Sequence, residues 1–381
     1  MNNSEAVDIK YMKEALRLAK KGCGFVNPNP MVGAVIVKNG EIIGEGYHEC
    51  FGELHAERNA FKNCTSSAEG ATIYVTLEPC CHYGKTPPCT EAIIKNGISR
   101  VVIGALDPNP EVAGKGVKIL KDHNIVVEYG ILENECIEIT KSFRKFITTK
   151  RPFITMKYAM TMDGKIATYS GKSKWITGED ARLNVHKSRH ANSGIMVGIN
   201  TVLRDDPMLT CRIENGKNPI RIICDTDLRT PLDSNIVKTA EHVPTIIASC
   251  DLSENEKERE DRKFKVNELR KNHCMVITLR DKDGNIDLNH LMEFLGGMNI
   301  DSILLEGGGT LNNSALESGI VDRVQAYIAP KIFGGCGCSP VSGKGIESPD
   351  DSYRLVNSKV SKIGDDFLIE SDVIYPCLQE L

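Results

Sequence analysis

Three side chains widely spaced along the chain, His55, Cys80 and Cys89, carry a pattern that works only if the fold brings them to one point. They sit in His55-Ala56-Glu57, in Thr76-Leu77-Glu78-Pro79-Cys80, and at the end of Pro87-Pro88-Cys89. Imidazole and thiolate are the ligands zinc takes in a tetrahedron, and a catalytic site supplies three of them while a fourth position stays open for water. Zinc lowers the pKa of such a water to about 7, so hydroxide is available at neutral pH. Glu57, two residues from His55, is placed to carry a proton from that water to a leaving amine. Cys81 adjoins Cys80 and offers a rival thiol, but neighbouring residues seldom face one metal together, and Pro79 aims Cys80. A lone His-x-Glu would be an ordinary surface pair; Glu-Pro-Cys and Pro-Pro-Cys behind a strand-like run turn it into a site.

The pattern H-x-E followed by P-C-x-x-C marks zinc nucleobase deaminases, with the Glu outside the ligand set. Here the second half is stretched to Cys80-x8-Cys89. Bulk composition limits what such a site can act on. The net charge is −4 and no basic tract occurs, which argues against nucleic acid gripped through many phosphates. Small phosphorylated ligands need only two or three cations and remain open. The first ten residues are polar and lack the apolar stretch of a secretory signal. No run of about 18 apolar residues suggests a membrane span. Fourteen cysteines in a chain of 381 residues therefore read as reduced thiols plus metal ligands in a cytoplasmic protein. Cys336 and Cys338 read as incidental thiols in a Gly-rich loop.

At 381 residues two domains are expected. In the first, Met12, Ala15, Leu16 and Ala19 stripe a helix over 8–21, and Asn39-Gly40 turns a hairpin between strands at 34–38 and 41–44. A helix over 56–62 puts His55 at its start, a strand runs over 71–77, and a helix over 90–96 opens after Cys89. Helix starts carry partial positive charge that favours thiolate. A strand from 100, a helix over 117–122 and an edge strand over 125–129 complete an α/β sandwich. The segment 133–150 reads as one helix ending at Arg151-Pro152, so the boundary falls near 150, with domains at 1–147 and 148–381. A second alternating series of strands follows, starting at 153, 195, 220, 245, 275, 302 and 324, again α/β. The charged stretch 253–273 reads as a solvated helix.

Chemistry in the second half is less explicit. Glu306-Gly307-Gly308-Gly309-Thr310 follows a strand and opens a helix, where backbone N–H groups and the helix dipole hold phosphate. A tight turn without a ligand has the same sequence. Arg189, Arg204 and Arg212 offer planar forks for phosphate or for surface ion pairs. Trp175, the single Trp, suits either a stacked nicotinamide or a core position.

Asn27-Pro28-Asn29-Pro30-Met31-Val32-Gly33, His55-Ala56-Glu57, Thr76 to Cys80, His82 to Cys89 and Asp107-Pro108-Asn109-Pro110 together resemble the deaminase half of the bifunctional riboflavin-biosynthesis deaminase/reductases. Lys157 to Ala167, Ser173-Lys174-Trp175-Ile176-Thr177, Asp205 to Arg212 and Glu306 to Gly309 resemble the reductase half, in the same order. The resemblance spans nearly the whole chain; Cys81 and Val26 depart from the usual residues. It implies a cytidine-deaminase-like α/β/α sandwich followed by a dihydrofolate-reductase-like α/β domain, with Zn²⁺ and NADPH as cofactors. The implied reactions are hydrolysis of the 2-amino group of a diaminopyrimidinone bearing a phosphoribosylamino arm, then reduction of its ribosyl group to ribityl. By the same resemblance Asn29, His48 and Lys85, with His82 and Asn109, hold the deaminase substrate. Ser173, Arg189, Leu209, Arg212 and Glu306 hold that of the reductase, and Lys157 and Asp205 flank the reacting sugar. Ala159, Trp175, Thr201, Asp205, Gly308, Gly309, Thr310, Leu311, Asn312, Asn313 and Ser314 line the cofactor. A homodimer or homotetramer is the expected assembly.

Overall fold

The computed structural model describes residues 3–83, 87–250, 256–279, 281–282 and 284–376. It divides into two compact units, Met1–Lys150 and Arg151–Leu381. The first runs α1 (Asn3–Ala19), β1 (Gly33–Lys38), β2 (Glu41–Tyr47), α2 (Ala56–Lys62), β3 (Thr72–Leu77), α3 (Cys89–Lys95), β4 (Arg100–Ala105), α4 (Lys115–Asp122), β5 (Val126–Tyr129), α5 (Glu133–Ile139) and α6 (Lys141–Thr149). Its sheet has the order β2-β1-β3-β4-β5. β1 is antiparallel to both neighbours, whereas β3, β4 and β5 are parallel.

Asn39 and Gly40 both take positive φ, 52° and 83°, which a two-residue hairpin turn between β1 and β2 requires. One face of the sheet buries Ile36, Ile73, Ile93, Val101 and Leu120. The other buries Tyr11, Met12, Leu16, Tyr74 and Cys136. Helices therefore cover both faces, an α/β/α sandwich. Gly46 fixes the depth of α2: a Cβ there would stand 2.2 Å from the backbone nitrogen of Ala60. The backbone of α2 thus lies directly on β2, which sets where its first residues project.

The expected single helix over 133–150 is two helices. At Thr140 the backbone leaves helical geometry (φ −109°, ψ 9°), and its hydroxyl donates to the carbonyls of Cys136 and Ile137. A side chain competing for backbone carbonyls ends the first helix there.

The second unit runs β6 (Phe153–Thr161), α7 (Glu179–Ala191), β7 (Gly194–Gly198), α8 (Ile199–Asp205), β8 (Ile220–Cys224), α9 (Asn235–Lys238), β9 (Thr245–Cys250), α10 (Glu256–Lys271) and β10 (Cys274–Leu279). It continues with β11 (Asp281–Lys282), β12 (Asn285–Ile286), α11 (Leu288–Gly297), β13 (Ser302–Leu305), α12 (Gly309–Glu317), β14 (Arg323–Ala329), β15 (Arg354–Ile363) and β16 (Asp366–Ile374). Nine strands form one sheet in the order β10-β9-β8-β7-β13-β6-β14-β16-β15. Strands from β10 to β14 are parallel; β16 and β15 add an antiparallel edge. Residues of α11 and α12 pack on one face with Met196 and Leu305, while Ile199 and Val202 of α8 pack on the other with Ile195 and Val197.

Candidate active sites

In the first unit the site forms at the carboxyl end of β3. His55 is the N-cap of α2, Cys80 follows β3, and Cys89 is the first residue of α3. His55 Nδ1 lies 3.4 Å from Sγ of Cys80 and 3.4 Å from Sγ of Cys89, and the three ligand atoms all lie within 4.8 Å of one another. Zinc bonds of about 2.3 Å to sulfur and 2.05 Å to nitrogen, at a tetrahedral angle, would put S and N about 3.5 Å apart. The donor set and its spacing fit zinc. The Cys89 thiol donates to Cys80 and holds that sulfur toward thiolate, with His55 assisting; the same contact and burial push Cys89 up. Cys81 stands apart, its sulfur 3.8 Å from the carbonyl of Glu111.

Glu57 is only 3% exposed. Burial, then the neighbouring Cys80, raises its pKa above the ordinary carboxylate value. His48 donates from Nδ1 to the carbonyl of Leu54 at 3.0 Å, so Nε2 accepts from the Asn29 amide at 3.0 Å. Burial holds His48 neutral, and its ring stands edge-on to His55 at 5.5 Å. Asn29, His48, His55 and Glu57 are thus gathered in one place. Asn109 lies in the loop after β4, its amide held by Asp107 Oδ1, while His82 is exposed. Lys85 lies outside the described residues. Arg58 was not singled out by sequence: it donates to the carbonyls of Pro87 and Pro88 at 3.1 and 2.9 Å, and so holds the turn that presents Cys89.

The second site forms at the carboxyl ends of β7 and β13. Glu306 is held bidentately by Arg189, at 2.6 and 3.0 Å, with Lys157 Nζ at 3.8 Å. Burial would raise the Glu306 pKa, but the Arg189 and Lys157 charges bring it to about 2. Burial also lowers that of Lys157, against the pull of Glu306. Arg189 further donates to the carbonyl of Thr210, and Arg212 donates to His186 Nε2. His186 escaped the sequence reading; its only signal was standing three residues before Arg189, on the same side of a helix.

β7 and β13 are neighbours whose following helices, α8 and α12, cover opposite faces, which opens a crevice of the kind that binds nucleotides in α/β sheets. Gly308 caps α12, no acidic residue occupies its first turn, and a Cβ on Gly308 would meet nothing within 4 Å. Asn312 is fully buried, with Nδ2 donating to Pro340 and Oδ1 lacking a partner. A helix start without a side-chain cap, behind a run of glycines, fits the pyrophosphate of a dinucleotide. Thr201 and Asp205 lie on α8 and Ala159 on β6; Leu209 is buried with φ 51°. Ser173 and Trp175 are exposed, and Trp175 stacks on Arg182, with the guanidinium 4.4 Å from the ring centroid. Among the described residues, Asp205 forms no hydrogen bond or ion pair with Lys157 or Glu306.

A metal-ready deaminase centre on one unit and a charged reductase crevice on the other define a two-activity enzyme. Residues 5–105 match the cytidine and deoxycytidylate deaminase zinc-binding region, and residues 152–369 match the RibD C-terminal domain. The chain is 50% identical to riboflavin biosynthesis protein RibD of Actinobacillus pleuropneumoniae, covering 97% of this chain and 96% of that one. Against the Escherichia coli K12 protein of the same name it is 38% identical over 94% and 97% of the two chains. The structure of the Thermotoga maritima diaminohydroxyphosphoribosylaminopyrimidine deaminase/5-amino-6-(5-phosphoribosylamino)uracil reductase superposes with a TM-score of 0.83, at 38% identity over 98% and 100% of the chains. Acinetobacter baumannii RibD gives 0.85 at 35% identity over 97% and 99%. The chain belongs to the RibD family of riboflavin biosynthesis proteins. It is a bifunctional deaminase and reductase that acts on a small molecule and uses zinc. No helix among the described residues is long and apolar enough to cross a membrane.

Proposed function

We propose that this chain hydrolyses the 2-amino group of 2,5-diamino-6-(5-phosphoribosylamino)pyrimidin-4-one and then reduces the ribosyl arm with NADPH, giving 5-amino-6-(5-phosphoribitylamino)uracil. Residues 1–147 carry the first step and 148–381 the second. The observation that carries the reading is the convergence of His55, Cys80 and Cys89 within 4.8 Å around buried Glu57. These three would hold a zinc ion, which when bound would supply a water activated at neutral pH. Glu57, its proton affinity raised by burial, would take a proton from the attacking water and pass it to the departing amine, so that the water oxygen stays as the pyrimidine carbonyl and the amine leaves as ammonia. Neutral His48, fixed by Leu54 and Asn29, and Asn29 itself orient the pyrimidine, with Lys85, Asn109 and His82 around the phosphoribosyl arm. A dication held there would draw both cysteines to thiolate, against the opposing negative charge of Glu57.

In the second unit NADPH supplies hydride, and the chain supplies position and charge. Gly308 to Ser314 hold the pyrophosphate at the start of α12, and Ala159, Trp175, Thr201 and Asp205 line the rest. Arg189 and Arg212 hold the substrate phosphate, with Ser173, Leu209 and Glu306 completing its site. Lys157 and Asp205 serve the proton movements that open the ribosyl ring to an imine before C1′ accepts hydride. The thirteen described cysteines form no disulfide with one another, which supports a cytoplasmic setting. Exposed Leu355 and Val360 on edge strand β15 support association into a homodimer or homotetramer.

The test is steady-state turnover by the zinc-loaded full chain. The diaminopyrimidinone phosphate should release ammonia without NADPH, and NADPH should be oxidised only by the deaminated product. NADPH carrying deuterium at the transferred C4 position should leave the label on C1′. Ammonia release without any NADPH oxidation would overturn the second half, and label at C2′ would replace imine reduction by prior isomerisation.

A further inference from the structure

Arg221, on β8, heads the fully buried side chains of the described residues by volume. Its five N–H groups all find acceptors: Nε donates to Thr245 Oγ1 at 2.9 Å, and Nη1 to Thr239 Oγ1 at 2.8 Å and the Met208 carbonyl at 3.3 Å. Nη2 donates to the carbonyls of Ile236 and Val243 at 2.9 and 2.8 Å. Every one of these acceptors is neutral. A buried guanidinium without a counter-ion is costly, and a well-packed apolar residue would serve stability as well or better. Burial lowers its pKa to about 10, which leaves it cationic at neutral pH.

Four of the five bonds tie α9, its C-cap Thr239, the turn before β9 and the first residue of β9 to β8. The fifth reaches the Met208 carbonyl, at the start of the stretch that enters the reductase site. Leu209 comes next, buried and in the left-handed region at φ 51°, a conformation that a leucine keeps only when held on both sides. The Thr210 carbonyl then accepts from Arg189, which grips Glu306, and the Cys211 amide donates to Asn218. Two arginines thus hold carbonyls on either side of Leu209, Arg189 from within the site and Arg221 from behind it.

We infer that Arg221 is a positioning residue for reduction: through the Met208 carbonyl it fixes the backbone that sets Leu209 and Arg212 around the substrate. The inference rests on the reductase reading above, and Arg221 itself touches no substrate.

The experiment uses the full chain with Arg221→Lys, which keeps the charge and loses the planar fork. Deamination on the same chain serves as the internal reference. Ammonia release should stay within about twofold of the parent chain, as should NADPH affinity read from the fluorescence of Trp175. KM for the deaminated phosphoribosylamino substrate should rise at least about tenfold, and kcat should fall by less. Thr239→Val and Thr245→Val each remove an Arg221 acceptor outside the loop; they should lower thermal stability but keep that KM within about twofold. An unchanged KM in Arg221→Lys overturns the inference, and so do threonine variants that raise KM equally. An Arg221→Lys chain that fails to fold also overturns it, by making Arg221 a requirement of the fold rather than of the loop. A parent chain that deaminates but never oxidises NADPH sinks the reductase reading instead.

Discussion

Glu57 is buried beside two thiols and a histidine, yet three ligands are already present without it. Its substitution therefore separates metal binding from proton transfer. Glu57→Gln should retain zinc by elemental analysis and lose deamination by about 10²–10⁴, the range of a positioned acid/base; zinc lost in step with activity would make it a ligand. Cys80→Ser and Cys89→Ser should release the metal while Cys81→Ser retains it, because the Cys81 sulfur faces the Glu111 carbonyl. Zinc content of the three purified variants decides this. Glu306 offers a pH test. Its pKa of about 2 lies below the ordinary value near 4.3, so the folded state binds that proton more weakly than the unfolded state. The stabilisation is complete above about pH 4.3 and is lost as pH falls toward 2. Glu306→Gln should lower the stability of its unit at pH 7 by on the order of 3 kcal/mol, and the gap should close near pH 2 in denaturant titrations. The zinc-site residues were readable because ligand type and spacing are local properties of the chain. Arg58 and His186 were not, since their partners, the Pro87 and Pro88 carbonyls and Arg212, are set by the fold.

Among the elements, α2 matched its sequence pattern at both ends, and α3 shifted by a single residue at each. Apolar periodicity with clear breakers on both sides explains that legibility. β15 and β16 gave no such signal: β15 is exposed along most of its length at the sheet edge, so no alternation of apolar and polar residues marks it. α4 depends on a residue outside itself. The buried carboxylate of Glu78 accepts from the amides of Asp107, Gly114 and Val117, at 3.3, 3.0 and 3.2 Å, at a helix start that has no side-chain cap of its own. Glu78 thereby ties the strand leading to Cys80 to the loop bearing Asn109. Glu78→Gln weakens three charge-assisted bonds and should cost roughly 1–3 kcal/mol of stability in the first unit. Thermal unfolding checks the magnitude, and zinc content near one per chain would show that the ligands themselves survive.

The described residues form two large sheets, of five and nine strands, and a two-stranded ribbon of β11 and β12, and no strand is shared between them. A fragment of residues 1–150 should fold and bind zinc alone, as judged by circular dichroism and metal content; aggregation cured only by the remaining residues would mean a shared core. The two sheets also differ in when they can be completed on a ribosome. Every strand of the first is in hand by Tyr129, close to the end of its own unit. In the second, β6 lies between β13 and β14, so Phe153 has to wait for Ser302, about 150 residues later in synthesis. At elongation rates of about 5–20 residues per second, that wait is roughly 8–30 seconds. Ile154 and Met156, fully covered in the finished sheet, spend it without their strand partners. The nascent reductase half is therefore the period of greatest exposure to chaperones and to aggregation, and chains stalled before residue 302 should fall out of solution with an intact, metal-binding first unit still attached.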